Sequence, residues 1–263
     1  YAIVGRGAEI GFYRPPNRPL GGGRSAVTQT LCASAAYGTT MLSAVMEDYI
    51  KAIYAIENDT GERVGTAELA DALDVTSPTV SSMLKKLAER GLIDREEYRG
   101  VTLTEEGEVV ALEILRHHRL LESFLSERLD YDWADVHEEA DRLEHHVSAE
   151  LTDRIAEALD NPGVDPHGDP IPDANLELPE ASGRSRLIDA TEGERVVVKR
   201  IRNQSDEALR YLAAAGVEPG VETEVVEIAP FGLVTVRTPE GEQSLPEEIA
   251  RSIETVPTAE AEA

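Results

Sequence analysis

The sequence predicts a mainly α-helical protein with a small β domain near its C-terminal end. Apolar residues recur at helical spacing in SAVMEDYIKAIYAIE, which starts at Ser43. A second helical signal is VHEEADRLEHHVSAE, a run from Val136 to Glu150 that contains no Gly or Pro. The β domain is indicated by three short segments rich in β-branched residues, at 195–201, 222–228 and 232–237.

Residues 1–40 show neither a helical nor a strand period and are rich in Gly, Arg, Pro, Ser and Thr. We therefore expect a disordered or non-native N-terminal extension that ends just before Met41. The sequence has no apolar run of membrane-spanning length, which predicts a soluble, cytoplasmic protein without a membrane partner. Cys32 is the single cysteine, so disulfides and thiolate metal sites are not expected in the body of the protein.

The net charge of −26 would normally argue against nucleic acid as a partner. However, the chain has 4 Lys against 21 Arg, and its acidic residues are spread over every segment past residue 40. This composition is typical of a halophilic cytoplasm, where salt screens the repulsion between like charges. Three of the four lysines, Lys51, Lys85 and Lys86, lie within 41–104.

The segment 41–104 has the pattern of a winged helix-turn-helix. Thr66 and Ser77 are candidate N-caps of two short helices, and Pro78 suits the first position of the second one. Two short strands, 92–96 and 100–104, follow and predict a wing. Small polar side chains suit base and phosphate contacts, and basic ones neutralise phosphates. The predicted DNA-binding residues are Thr76, Ser77, Pro78, Thr79, Ser81, Ser82, Lys85, Lys86 and Arg99. A helical hairpin used only for packing is the alternative, which the wing disfavours.

Two long helices are predicted next, from Glu105 to about Arg128 and from about 134 to Leu159. The first carries His118 and Glu122 at i and i+4. In the second, a phasing of ~100° per residue places candidate ligands on one face: His137, Asp141, Glu144 and, at its edge, His145. Imidazoles and carboxylates in this arrangement suit a first-row divalent cation, whereas the alternative is a charged, solvated face. Two such helices are too thin to bury both faces alone, which predicts a dimer interface.

Five prolines between 161 and 180 predict a linker, in which His167 is expected to lie on the surface. The strands beyond it, with a short helix from Ser205 to Ala215, predict a small β-barrel-like domain. The predicted organisation is therefore an extension (1–40), a DNA-binding domain (41–104), a helical metal-binding and dimerisation domain (105–160), a linker (161–184), a β domain (185–258) and a tail (259–263).

This order of motifs, with His118-x-x-x-Glu122, His137-x-x-x-Asp141-x-x-Glu144-His145 and the linker's PHGDPIP, resembles the diphtheria toxin repressor and manganese transport regulator family. The resemblance covers Met41 to about Val256. It implies an SH3-like (FeoA-like) C-terminal barrel and a homodimer. It also implies that palindromic operator DNA is bound when Mn(II) or Fe(II) is loaded, which represses metal-uptake genes. No small-molecule substrate is implied.

The resemblance further implies two metal sites. The primary site would consist of Asp48, Asp141, Glu144 and His145. The ancillary site would consist of His118, Glu122 and His137, with Asp206 or Glu207 replacing the family's barrel ligands. Lys51 stands where manganese-type members have a liganding Glu, so their close two-metal arrangement is not expected here. Oxygen and imidazole ligands favour Mn(II), with Fe(II) next.

Two other function classes remain open. One is a winged-helix dimeric regulator that works without metal. The other is a helical metalloenzyme, which would need Glu-x-x-His pairs in a four-helix core, and the residue three positions after Glu144 is Val147. We find no phosphate-binding loop and no nucleophile paired with a base, so no enzymatic activity is expected. Metal-dependent DNA binding separates the three classes.

Overall fold

The structure is a computed structural model that describes residues 42–96, 99–179, 183–230 and 232–258. The predicted extension (1–40) and tail (259–263) lie outside the described residues. The described chain divides into two compact units. The first holds 42–118, 141–154 and 172–177, and the second holds 119–140, 155–171 and the described part of 178–258.

The first unit begins with three helices and a two-stranded sheet. These elements are α1 (Ala44–Thr60), α2 (Thr66–Ala72), α3 (Ser77–Glu89), β1 (Ile93–Glu96) and β2 (Gly100–Leu103). The Ser43 hydroxyl caps α1 by accepting the Met46 amide at 3.4 Å. Gly65 and Thr76 are the N-cap residues of α2 and α3, one position before the predicted Thr66 and Ser77. The predicted helix-turn-helix and wing are therefore present, with each N-cap displaced by one residue.

Apolar faces of these elements meet in one core. Ile50, Ile53 and Leu87 are fully buried there, and the helix that follows the wing adds Leu115. β1 and β2 pair antiparallel, from Ile93 opposite Leu103 to Glu96 opposite Gly100. At Gly100 (φ +94°) a Cβ would lie 2.5 Å from a backbone carbonyl oxygen, so this strand position requires glycine. The wing is thus fixed against the helices that precede it.

The helical segment contains α4 (Glu105–Leu129), α5 (Val136–Leu143), a 3-10 turn (Glu144–His146) and α6 (Ala149–Ala158). The prediction of one continuous helix through Val136–Glu150 is wrong. The backbone is extended at Val147 (φ −85°, ψ 147°). Ser148 then starts α6, because its hydroxyl accepts the Leu151 amide at 3.2 Å. No helix among the described residues is both long enough and apolar enough to cross a membrane.

The second unit contains a six-stranded antiparallel sheet. Its strands and helices are β3 (Ser185–Arg186), β4 (Arg195–Ile201), α7 (Asp206–Ala214), β5 (Glu222–Ala229), β6 (Leu233–Thr238), β7 (Gly241–Pro246), α8 (Glu247–Ser252) and β8 (Ile253–Pro257). The strand order is β3-β8-β4-β5-β6-β7. Val198, Leu209, Leu212 and Val234 are fully buried at its centre. The predicted class, mainly helical with a small C-terminal β domain, is confirmed.

The proline-rich segment packs against β4. The Ile201 amide donates to the His167 carbonyl at 2.9 Å. Gly168 has a φ of +84°, and a Cβ there would lie 1.9 Å from the Lys199 carbonyl oxygen, so only glycine allows this close approach. His167 is consequently 0% exposed. The expectation that His167 lies on the surface is wrong, because proline content alone does not reveal that a turn docks on a strand.

Candidate metal centre and nucleic-acid interface

His145, in the 3-10 turn, lies among carboxylates of the first unit. Its Nδ1 is 2.6 Å from Glu47 Oε2, and its Nε2 is 3.1 Å from Asp48 Oδ1. Nε2 is also 3.5 Å from Glu144 Oε1. Burial alone would lower the pKa of His145, but the hydrogen bonds to Asp48 and Glu47 outweigh it and raise the pKa to about 10. The imidazole is therefore protonated at neutral pH in this arrangement.

Glu144 is the centre of a second set of contacts. Its side chain is 1% exposed, and its Oε2 lies 2.5 Å from His118 Nδ1. Lys51 Nζ donates to both Glu144 oxygens at 2.9 Å and to Asp141 Oδ1 at 2.9 Å. Burial alone would raise the pKa of Glu144, but the charges of Lys51 and His118 lower it below its usual value. Glu144 is thus held as a buried anion.

Two triads of ligand atoms share Glu144 in this cluster. They are Asp48–Glu144–His145 and His118–Asp141–Glu144, and within each the atoms lie within 4.8 Å of one another. In the first triad Glu47 holds Nδ1, which directs Nε2 of the same ring toward the other two ligands. Carboxylate oxygen and imidazole nitrogen are donors that suit Mn(II) and Fe(II). The donor set and its orientation therefore fit a divalent cation in place of the Nε2 proton.

A second cluster lies within the second unit, around the fully buried Glu122. Its Oε1 is 3.0 Å from His137 Nδ1, and its Oε2 is 3.6 Å from His167 Nδ1. His167 Nε2 donates to the Trp133 carbonyl at 2.8 Å, which fixes the ring. Glu122, Asp165 and His167 form a further triad of ligand atoms within 4.8 Å of one another, and all three side chains are buried.

Burial and neighbouring charges shift the pKa values of the titratable groups in this second cluster. Burial, followed by the nearby charges of Asp169 and Glu122, raises the pKa of Asp165 to about 8. Burial alone would lower the pKa of His167, but Glu122 outweighs it and raises the pKa to about 9. Asp169 differs, because Arg200 lowers its pKa despite burial. Asp165 and His167 therefore hold protons at neutral pH, and a cation bound at this triad would have to displace them.

The helix α3 presents one face to the core and the other to solvent. Val80, Leu84 and Leu87 are buried. The exposed predicted DNA contacts on and before this helix are Thr76, Ser77, Pro78, Thr79, Ser82, Lys85 and Lys86, and Ser81 is half-buried. In the wing, Arg99 is exposed and lies 2.9 Å from Glu96. This surface combines a helix N-terminus, small hydroxyl groups and basic side chains, which are the groups that contact phosphates and base edges.

Comparison with known proteins decides the family. The iron-dependent repressor IdeR of Mycobacterium tuberculosis is 33% identical over 226 residues, which covers 79% of this chain and 94% of IdeR. The chain belongs to the diphtheria toxin repressor family. Its members are metal-dependent DNA-binding transcriptional repressors. The diphtheria toxin repressor of Corynebacterium efficiens is 32% identical over 189 residues, covering 68% of this chain and 82% of that protein.

The family's three domains all match this chain. The iron dependent repressor N-terminal DNA binding domain matches residues 41–101. The iron dependent repressor metal binding and dimerisation domain matches residues 104–173. The FeoA domain, which is SH3-like, matches residues 186–257. A solved manganese-dependent transcriptional repressor in complex with manganese superposes with a TM-score of 0.73 at 36% identity, covering 81% of this chain and 99% of that chain. The resemblance inferred from the sequence is therefore confirmed.

The structure brings together most of the predicted ligands. Asp48, Asp141, Glu144 and His145 meet in the first unit, as do Glu122 and His137 in the second. His118, predicted for the ancillary site, has its Nδ1 on Glu144. Two predicted barrel ligands are exposed in the first turn of α7 and belong to neither cluster: Asp206 and Glu207.

Sequence reasoning did not find Glu47, Asp165 and His167 as parts of these clusters. Glu47 directly precedes Asp48, but an adjacent residue on a helix normally faces another direction. The sequence does contain one indication of a site here, because Asp165 and His167 stand two residues apart, a spacing that suits metal ligands. The prolines around them, however, predict an exposed linker.

Proposed function

We propose that this chain is a homodimeric repressor that binds palindromic operator DNA when loaded with Mn(II) or Fe(II), and so lowers transcription of metal-uptake genes. The observation that carries the proposal is the triad Asp48–Glu144–His145. One of its ligands lies on α1, the first helix of the DNA-binding segment, and the other two lie beyond residue 140. A cation bound there would link the DNA-binding segment, which contains α1, to the helical segment beyond residue 140.

For the primary site we propose Asp48, Glu144 and His145 as ligands, with Asp141 adjacent to them. Glu47 holds the imidazole in the orientation that ligation needs. The metal supplies a double positive charge that attracts carboxylates from two separate segments. The choice of Mn(II) or Fe(II) is supported by the donor set, and by relatives described as iron-dependent and manganese-dependent.

For the ancillary site we propose Glu122, Asp165 and His167, with His137 hydrogen-bonded to the first of these. This adds two residues of the proline-rich segment to the predicted set of His118, Glu122 and His137, which stays a prediction. Asp206 and Glu207 are left out because their side chains are exposed. The ancillary site would then stabilise the docking of the turn at 165–169 on β4.

For operator binding we propose that α3 enters the major groove. Lys85, Lys86 and Arg99 would neutralise phosphates, and the small residues from Thr76 to Ser82 would lie against the DNA. The domain boundaries proposed from the sequence, 41–104, 105–160, 161–184 and 185–258, are kept for this assignment. Because its partner is operator DNA, we place the protein in the cytoplasm.

Two alternatives are weaker. A metal-independent regulator would not need the triad Asp48–Glu144–His145, in which carboxylate oxygens and an imidazole nitrogen lie within 4.8 Å of one another. For an enzyme, the clusters would need a substrate cavity with a poised acid, base or nucleophile. We propose no enzymatic activity, which agrees with relatives that are transcriptional repressors.

The test is operator binding by fluorescence anisotropy at high salt, titrated with Mn(II), Fe(II), Zn(II) and chelator. Parent protein should bind tightly with Mn(II) or Fe(II) and weakly with chelator. Glu144→Gln should lose the metal response, whereas the matched control Glu150→Gln should keep it, because Glu150 is exposed and pairs with Arg154 across one helical turn. Equal operator binding with metal and with chelator would contradict the proposal.

A further inference from the structure

Lys51 lies inside the primary cluster, one helical turn after Asp48 on α1. Its Nζ lies 2.9 Å from Asp141 Oδ1, 2.9 Å from both Glu144 oxygens and 3.4 Å from His118 Nδ1. Its side chain is 13% exposed. The three residues that surround Nζ are those of the second triad, His118–Asp141–Glu144.

An ammonium group is a compact point charge, and it is attracted to the same anionic oxygens as a metal cation. The Lys51 Nζ lies 2.9 Å from carboxylate oxygens of both Asp141 and Glu144, and these two anions stabilise its positive charge. Nζ already lies within hydrogen-bonding distance of all three residues of the second triad, so a divalent cation bound there would have to expel the ammonium.

We propose that Lys51 is a resident cation that fills the second of two adjacent cation positions, so that the cluster takes one divalent metal at Asp48–Glu144–His145. The proposal rests on the function proposed above, and it adds the metal count and a role for one residue. It also implies that Lys51 holds α1 to Asp141 and Glu144 before any metal binds. The metal then adds a second connection, through Asp48, between α1 and the helical segment.

The first experiment counts metal ions bound per chain, by calorimetric Mn(II) titration and elemental analysis. Lys51→Gln should bind one more Mn(II) than the parent, since it removes the ammonium and keeps the second triad. Lys51→Arg keeps the charge and should match the parent count, as should Arg154→Gln, which alters an exposed basic residue outside both clusters. The ancillary cluster is the same in all variants and cancels in the comparison. If Lys51→Gln binds no more metal than the parent, the proposal is wrong.

The second experiment follows thermal unfolding in chelator. Lys51→Gln should unfold at a lower temperature than the parent, because the buried Glu144 and the half-buried Asp141 lose their counter-ion, and Lys51→Arg should recover most of the loss. Equal unfolding temperatures for Lys51→Gln and the parent would refute the metal-independent tie. This readout does not depend on metal binding or on DNA.

The third experiment uses the parent alone, so it stands even when a variant fails to fold. Crystals saturated with Mn(II) should show one anomalous peak in the cluster, at Asp48–Glu144–His145, and Lys51 Nζ still against Asp141 and Glu144. A second peak between His118, Asp141 and Glu144 would overturn the inference while leaving the proposed function intact. No peak at either position would instead refute the primary metal site itself.

Discussion

Replacement of Glu47 by Gln tests how far a residue that is not itself a ligand controls metal affinity. The Glu47 carboxylate lies 2.6 Å from His145 Nδ1, and the two side chains are 8% and 11% exposed. Loss of the carboxylate behind a metal-ligating His typically weakens metal binding by about 10–100-fold. The same change lowers the raised pKa of His145, so that protons compete less for Nε2. We therefore expect the lower end of this range, about 10-fold, or about 1.4 kcal/mol.

The assay is calorimetric Mn(II) titration of parent and Glu47→Gln at pH 7.5, in two buffers of different ionisation enthalpy. The parent should release close to one proton per metal at the primary site, since the pKa of His145 is about 10. Glu57→Gln is the matched control. It lies on the same helix, but its carboxylate accepts the Leu103 amide at 3.1 Å in the wing. Unchanged or tighter Mn(II) binding by Glu47→Gln would refute the role assigned to Glu47.

Three further predictions follow from the same geometry. Asp48→Ala should still bind metal, less tightly, and should lose most of the coupling between metal and operator; parental operator affinity at saturating Mn(II) would contradict this. Replacing Lys85 and Lys86 with Ala should flatten the salt dependence of DNA binding by up to ~2 units of slope, and an unchanged slope would place the phosphate contacts elsewhere. Burial, followed by the charge of Glu47, raises the pKa of Glu113 from 4.5 to about 7. Because the folded state holds this proton more tightly, stability should fall as pH rises from about 4.5 to above 7. Glu113→Gln should remove that fall and be more stable than the parent at pH 8 by about 1–2 kcal/mol in urea unfolding, whereas equal pH slopes would refute the assignment.

Local patterns in the sequence predicted much of the fold. The apolar period of α1, the Pro near the start of α3 and the glycine in the wing each act over a few residues, and their elements are present. The helix break at Val147 is hard to predict, because neighbouring residues have opposite preferences for the helix. Glu and Ala favour continuation of the helix, whereas the β-branched Val147 and the capping hydroxyl of Ser148 oppose it.

The clusters were harder to predict than the helices, because they join residues far apart in the chain. Helical phasing could group His137 with Asp141, but it could not show that the chain bends at Glu144 and turns His145 toward α1. Lys51 shows the limit most clearly. The sequence revealed an unexpected residue type at a ligand position, and only the structure places its ammonium against two carboxylates.

Two positive groups would occupy the primary cluster, the Lys51 ammonium and the proposed metal ion. They differ in whether they can leave the protein, and this difference matters for metal-dependent operator binding. The Lys51 ammonium is covalently part of α1, so the proposal expects its contacts with Asp141 and Glu144 to persist at every metal concentration. The position between Asp48 and His145 is filled by a proton at neutral pH, and a metal ion must displace it. Regulation then depends on the free-energy difference between a proton and a metal ion at one imidazole nitrogen. A ligand shifts an equilibrium only by its differential affinity for the two states. With the proposed ligands, we therefore expect Asp48, which the DNA-binding segment contributes, to set the size of the metal response. We expect Lys51 to keep α1 attached to Asp141 and Glu144 when metal is absent.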